Sequence, residues 1–461
     1  MKTSRRFLVL IALLALLALT GCARVSRPEQ NLAERLAFDE AARARYKLDA
    51  DWWKVYQDDR LNQLVSQALE RNLDLAKAAL SVNRALYEAK LIAADLTPSF
   101  SGGLEGSARR NIKESGPSAR SVSGQVGLSY ELDLWRKVAD AASAAQWEYR
   151  ATVEDLAAAR LALVGSVVDA YFQMAYLNDA LAATEQNLKN YKAIEATVAA
   201  KHQAGKVAAV EPAQARQAVL SAENTLLDLR NQHQTTEETL RNLLNFQPAQ
   251  PLALEGLTLA GLRLPELNLN IPLSVLANRP DLRAAEFRVE KAYKNVQEAE
   301  KGWLPSISLS SILSSSGDKV TNAFNTPMAS GALSVSLPFL DWSRVLYSLR
   351  ISETDFERIR LDFEEALTTA LNEVDTCYQT YRRNRQDLTN TRRKYANDQR
   401  ISAYYQDRYQ AGAAQLSDWL SALNTTNSAR LEALNSLNRA IQSVSLTYRA
   451  LAGRYESAGA L

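Results

Sequence analysis

The chain has 461 residues, 54 of them Lys or Arg against 52 Asp or Glu, with two cysteines and two histidines. So even a charge balance, with no basic block past the first residues, excludes a nucleic-acid binder that works by charge. Two cysteines, one of them in the leader region, exclude a disulfide-stapled fold, so stability must come from packing.

The N-terminus reads as an export signal. Lys2, Arg5 and Arg6 precede an apolar run from Phe7 to Leu19, which is too short and wrongly flanked for a transmembrane helix. The run ends in LTGC, residues 19–22, which resembles a bacterial lipobox and implies removal of residues 1–21 and lipid on the thiol and amine of Cys22. A plain signal peptide with an incidental Cys22 is the alternative. In similar lipoproteins an Asp after the cysteine favours inner-membrane retention; Ala23 leaves the outer membrane open. The chain beyond residue 21 has no apolar run near twenty residues, hence no transmembrane helix.

Residues 51–71 contain Trp52 and Trp53, for which packing is the default. A helix is predicted over 72–96, ending before Pro98, and two strands over 98–109 and 121–135, separated by a polar loop. In the first strand Phe100, Gly102, Leu104, Gly106 and Ala108 alternate with polar or small residues. In GQVGLSYELDLW, residues 124–135, the even positions are apolar or glycine and the odd ones polar, with Gly127 and Trp135 as exceptions. A very long helix follows over 137–201, roughly 100 Å at 1.5 Å per residue. Leu161, Val164, Val168, Tyr171 and Ala175 form its 3-4-3-4 seam. The helix runs into HQAG, where Ala204 and Gly205 suit a helix end, and Pro212 fits the first turn of a return helix over 211–246.

The second half repeats the first at an offset of 207 residues. RNLDLAKAAL at 71–80 falls on NRPDLRAAEF at 278–287, TPSFS at 97–101 on LPSIS at 304–308, and HQAG at 202–205 on YQAG at 409–412. The repeats span about 51–246 and 271–453. The second is predicted to have strands over 305–316 and 329–341 and long helices over 344–409 and 417–453, with its hairpin tip at Ala411 and Gly412. The lengths imply that each long helix is flanked by two shorter ones stacked nearly end to end, with 51–71 and 247–278 as a belt at the joins.

Ten-residue alternating segments between turns are the pattern of a transmembrane β-barrel. The plain alternative is a two-sided sheet in a soluble domain. The export signal, the serine- and glycine-rich polar faces and the lack of a body to cover the apolar faces favour the barrel. Four strands cannot close one, and open edges are not tolerated in lipid. Three copies would supply twelve strands and six hairpins, giving a mainly α fold with a small β part: a shared barrel continued on one side by a helical tube.

DWWKVYQDDRLNQLVSQALERNLDL (51–75), SYELDLWRKV (129–138), NRPDLRAAE (278–286), LPSISL (304–309), LPFLDW (337–342) and RYQAGAAQLSDWL (408–420) together resemble the TolC-like outer membrane factors, in their lipoprotein branch. The resemblance spans the chain past residue 21. It implies a homotrimeric exit duct of a tripartite efflux pump, passing small molecules outward without enzymatic chemistry or a cofactor. It also implies a periplasmic adaptor gripping the hairpin tips (Ala204, Gly205, Ala411, Gly412), an inner-membrane transporter of RND or ABC type, and contact with outer-membrane lipid. In similar proteins an acid shortly after each tip glycine faces the lumen at the closed aperture; the matching residues are Glu211 and Asp418. The residue-level alternative is a solvated acid in a helix's first turn. Tyr409 keeps the family's aromatic, but Ala414 and Ser421 stand where the best-known pattern has an Arg and a second Asp, so closure is expected to rest on packing near Leu416 and on the acid ring. Trp419 is expected to pack.

His202 and His233 lack metal-ligand spacing and read as surface residues, Cys377 as a small core residue, and Glu237–Glu238 and Glu364–Glu365 as solvated charges. There is no phosphate-binding loop, dinucleotide fingerprint or hydrolase motif. The competing readings are a lipid-anchored periplasmic adaptor or structural protein, disfavoured by the duplicated strand pairs, and a periplasmic enzyme, disfavoured by the missing catalytic constellation.

Overall fold

The computed structural model describes residues 46–457, apart from 111–118 and residues 249, 253, 263, 268–270, 272 and 324. The export signal and Cys22 lie outside the described residues. In chain order the elements are β1 (Tyr46–Asp49), α1 (Asp59–Arg71), α2 (Leu73–Ala94), β2 (Ser99–Arg109), β3 (Ala119–Leu132), α3 (Lys137–Gln203), α4 (Val210–Leu244), α5 (Pro280–Glu300), β4 (Ser306–Gly317), β5 (Met328–Ser336), α6 (Trp342–Gln410), α7 (Leu416–Ala450) and β6 (Arg454–Ser457).

Local chemistry sets most boundaries. The Asp58 carboxylate accepts from the N–H groups of Arg60 and Leu61 at the start of α1, and the Asn72 side chain accepts from Asp74 and Leu75 at the start of α2. Asp133 ends the second alternating stretch earlier than expected. Its carboxylate turns to accept from Val138 N–H (3.1 Å) and Ala139 N–H (2.8 Å), so β3 closes at Leu132 and α3 is capped. The fourth strand also stops short of the expected 341. Pro338, which has no N–H to give a ladder, opens a 3₁₀ turn over Pro338–Asp341.

The four long strands form one antiparallel sheet in the order β2-β3-β4-β5, with both outer edges open in the single chain. Cross-strand register collects Phe100, Leu104, Val126, Leu128, Tyr130, Leu309, Leu313, Leu333 and Val335 on one face and a field of serines on the other. Gly127, the odd glycine in the alternation, has a packing reason. It lies opposite Ile312, the one large apolar residue on the serine face of β4, and a Cβ there would come 2.8 Å from Ser101 Oγ. A second, unexpected sheet pairs β1 with β6 and ties the two ends of the described chain together.

Below the sheet, α2 and α4 both lie along α3, and α5 and α7 along α6, while α5 and α7 also reach across to α3. The largest core sits where these helices meet the 51–71 segment. Trp52 is fully buried against Tyr448, Tyr56 against Phe172, and Tyr56 Oη donates to the Ile441 carbonyl. Val164, Val168, Tyr171 and Ala175 of the expected seam are all in this core, with Leu161 packed at its edge. Cys377 is buried as a small core residue, and burial pushes its thiol up to about 11. His233 departs from the surface reading: it is half-buried, with Nε2 3.1 Å from Asn178 Oδ1.

Gly165 makes room for a side chain where α3 meets α7. A Cβ there would collide with Cδ and Nε of Arg449, whose guanidinium reaches Asp169 across the α3–α7 crossing. Burial pushes the Asp169 carboxyl above its ordinary value, opposed by Ser445 and Arg449. The folded state thus holds this proton more tightly than the unfolded chain, and stability falls as pH rises through the raised value. Asp169→Asn should remove that contribution. Its melting temperature relative to the native chain should be higher at pH 7.5 than at pH near 4.5, read by circular dichroism in detergent.

Candidate functional site

The far end of the helices from the sheet is built from two matching turns. At the first, Gly205 adopts φ +67°, its N–H donates to the His202 carbonyl (2.9 Å) and Lys206 N–H donates to Lys201 (2.9 Å). At the second, Gly412 adopts φ +72°, with Gly412 N–H on Tyr409 (3.0 Å) and Ala413 N–H on Arg408 (2.8 Å). Each is the paired 6→1 and 5→2 ending that a left-handed glycine permits. Ala204 and Ala411 are the residues just before, where the helices stop. Both turns are exposed, so two short backbone segments project at the tip.

The two hairpins are fastened to each other inside one chain. Leu416, 1% exposed, and Leu420 pack with Tyr191, Val198, Ala215 and Val219 in an apolar cluster from both hairpins. Leu416 therefore helps hold the two hairpins of one chain together. Tyr409 Oη donates to Glu211 Oε2 (3.2 Å), its ring stacks on Trp419 at 5.4 Å and 27°, and Lys201 Nζ lies 4.8 Å from its centroid. Burial first, then the Glu211 carboxylate, pushes the Tyr409 phenol above its ordinary value, which keeps it protonated as the donor. Pro212 does not deflect Glu211 from this contact, because it sits within the first turn of α4, where its missing N–H costs nothing.

Asp418 is exposed and does local work. Its carboxylate accepts from Gln415 N–H (3.2 Å) while the Gln415 side chain accepts from the Asp418 N–H, a reciprocal cap on α7. It also lines a cleft of about 280 Å³ between α6 and α7 with Ser421, Asp398 and Tyr405. Glu211 and Asp418 are thus not brought together in one chain: the first is committed to Tyr409, the second to its own helix end. The sequence reading missed three residues of the tip: Asp398, Lys201 and Arg408. Arg408 Nη2 caps the Ala413 carbonyl (2.9 Å) and Nη1 donates to Tyr404 Oη (3.0 Å), so a guanidinium braces the second turn from four residues before its glycine, while Ala414 carries none. Its place in RYQAG, one helical turn upstream, was the available signal.

Nothing in this constellation pairs a nucleophile with a base, and among the described residues no cluster of His, Cys, Asp and Glu could hold a metal ion. No described helix is long and apolar enough to cross a membrane, so the four-stranded sheet is the described part with a bilayer-facing pattern. The profile of the outer membrane efflux protein family matches residues 64–245 and 271–453, one match per repeat. The chain belongs to the outer membrane efflux protein family. It is 42% identical, over 95% of its length and 96% of the relative's, to "Toxin and drug export protein A" of Aggregatibacter actinomycetemcomitans. The crystal structure of CusC, described as changing conformation on folding and transmembrane channel formation, superposes with a TM-score of 0.78 at 26% identity, covering 87% of this chain and 94% of that one. "Probable outer membrane lipoprotein SilC" of Salmonella typhimurium is 26% identical over 71% of each chain.

The protein is an outer-membrane efflux channel, a transport component and not an enzyme, with its helices forming the periplasmic part. The family expected from the motifs is the one found. For the tip, the geometry predicts a local effect. Leu416→Ala should cost about 2–5 kcal/mol at the tip cluster. Amide exchange around residues 205–212 and 412–420 should rise by about tenfold or more, with the Trp52 core unchanged.

Proposed function

We propose that three copies form one duct: twelve strands closing a barrel through the outer membrane, and six helical hairpins forming the periplasmic tunnel. The observation that carries the reading is the four-stranded sheet itself. It is apolar on one face and serine-lined on the other, open at both edges, and continuous with helices of roughly 100 Å. The duct is passive. Energy comes from an inner-membrane transporter of RND or ABC type, and a periplasmic adaptor seats on the exposed turns at Ala204–Gly205 and Ala411–Gly412. Cys22 carries lipid, in keeping with the lipoprotein named among the relatives. The relative named for toxin and drug export makes organic toxicants the first cargo to test.

At the tip, three copies of Asp418 form an acidic ring at the narrowest point, with the apolar cluster under Leu416 and the Tyr409–Glu211 bond holding the hairpins in place. The cap and the ring make separable demands on Asp418: the cap needs an acceptor, the ring needs charge.

Native mass of the detergent-extracted mature chain, with the adduct resolved on Cys22, is expected to give a lipid-bearing trimer; a monomer stable without detergent overturns the duct. In planar bilayers Asp418→Asn should lower the preference for cations over anions by several-fold while the melting temperature barely moves, because Asn still accepts from Gln415 N–H. Unchanged selectivity leaves Asp418 a helix cap only.

A further inference from the structure

The apolar face of the sheet is not evenly filled. It carries a hollow of about 530 Å³, lined by Gly102, Leu104, Gly124, Val126, Leu313 and Pro327. The register explains it. Gly102 lies opposite Val126, and Val126 opposite Leu313; in the next row on the same face Leu104 lies opposite Gly124, and Gly124 opposite Ser315. Two glycines thus withhold side chains from a face that otherwise carries large apolar ones, and the floor is low. Leu104, Val126 and Leu313 are 80%, 58% and 53% exposed, so the hollow opens away from the sheet.

Its outer end has different chemistry. The loop after β4 folds back over this face. A Cβ on Gly317, which shares the face with Leu313, would come 2.8 Å from Asn322 C and Ala323 N, and Ala323 is fully buried. Beside this shelf Ser315 is only 9% exposed, and its Oγ has no hydrogen-bond partner among the described residues, a costly state for a buried hydroxyl. Two cations stand at the same end. Val122 lies opposite Gly317; Arg120 is two residues before the first and Lys319 two after the second. Both are exposed, and neither has an ion-pair partner among the described residues. Asp318, the acid of the loop, accepts from Asn322 Nδ2 (3.2 Å). Glu105 falls on the opposite, serine-lined face.

Depth gives the hollow a direction. Ile307, at the helical end of the apolar face, is eight residues from Ser315. That is about 26 Å along a strand and about 20 Å across the membrane at a barrel tilt of ~40°, against an apolar band of ~25 Å. The hydrocarbon walls lie deeper and the hydroxyl and cations lie at the outer interface.

We infer that the hollow binds one acyl chain of an outer-leaflet lipid, with its ester at Ser315 and a phosphate at Arg120 and Lys319. The position and the paired cations select lipopolysaccharide, the acylated, phosphorylated lipid of that leaflet. The inference rests on the shared-barrel reading, which turns this face to the bilayer. A lipid held there would keep the loop after β4 against the outer wall.

Native mass of the mature, lipidated chain, purified in detergent and incubated with lipid A, tests this. One lipid A per copy should be retained. Gly102→Leu fills the hollow without strain, since a Cβ there meets only the Gln125 carbonyl at 3.9 Å, and should lower retention about tenfold. Gly106→Leu, on the same face outside the hollow and with nothing within 4 Å, should leave retention unchanged. Arg120→Gln with Lys319→Gln should lower it several-fold. Phosphatidylglycerol should be retained several-fold less than lipid A. No loss in Gly102→Leu, or equal loss in both leucine variants, overturns the site, and equal retention of phosphatidylglycerol overturns the choice of lipopolysaccharide; a detergent-bound trimer in either case leaves the duct standing. A monomer stable without detergent overturns the duct and the lipid site together.

Discussion

A sheet edge inside a bilayer has nowhere to send its backbone hydrogen bonds, and each unsatisfied group there costs several kcal/mol. This constraint governs the rest of the molecule. The four-stranded sheet has two such edges and an apolar face with no protein over it. A single chain cannot resolve that conflict, which is why we propose that copies of the chain resolve it together. The serines on the other face have the opposite requirement, for water, which a closed barrel supplies along its interior.

The helices carry the same logic away from the membrane. Two helices of 67 and 69 residues would be unstable rods alone, and each is steadied by shorter helices along its length. Where repeats meet, the interior is closed by small residues and local polar pairing. Gly165 makes room for the Arg449 side chain, and the 51–71 segment places Trp52 and Tyr56 into the gap between α3 and α7. That core also ties the N-terminal belt to the last helix through Tyr56 and Ile441.

At the other end the design is lighter. The turns are exposed backbone, and the two hairpins are joined by an apolar cluster, the Tyr409–Glu211 bond, Lys201 over the Tyr409 ring and the hydrogen bonds of Tyr191 with Asn424 and Asn427. Such a tip can be displaced without unfolding the rods above it, since its contacts are few and local. Alanine and serine stand at positions 414 and 421, and Arg408 braces the second turn through the Ala413 carbonyl.

The sequence by itself determined the elements whose signals are local or periodic. The two long helices, their glycine-ended tips, the four alternating strands and the duplication were all legible, because heptad spacing, period two and a left-handed glycine act over a few residues. Strand ends were less so. Asp133 and Pro338 have chemistry that closes a strand early, yet their neighbours continue the alternation. The tertiary structure alone decided which acid finds a partner on the other hairpin. Glu211 and Asp418 occupy equivalent positions in the repeat, but Tyr409 reaches only the first, and Gln415 turns the second into a cap. It also decided that Leu416 is interior and that His233 is half-buried. The Tyr409–Glu211 bond, spanning 198 residues of chain, and the burial of Leu416 depend on which helix faces which, and no local pattern carries that information; the Gln415–Asp418 cap spans only three residues.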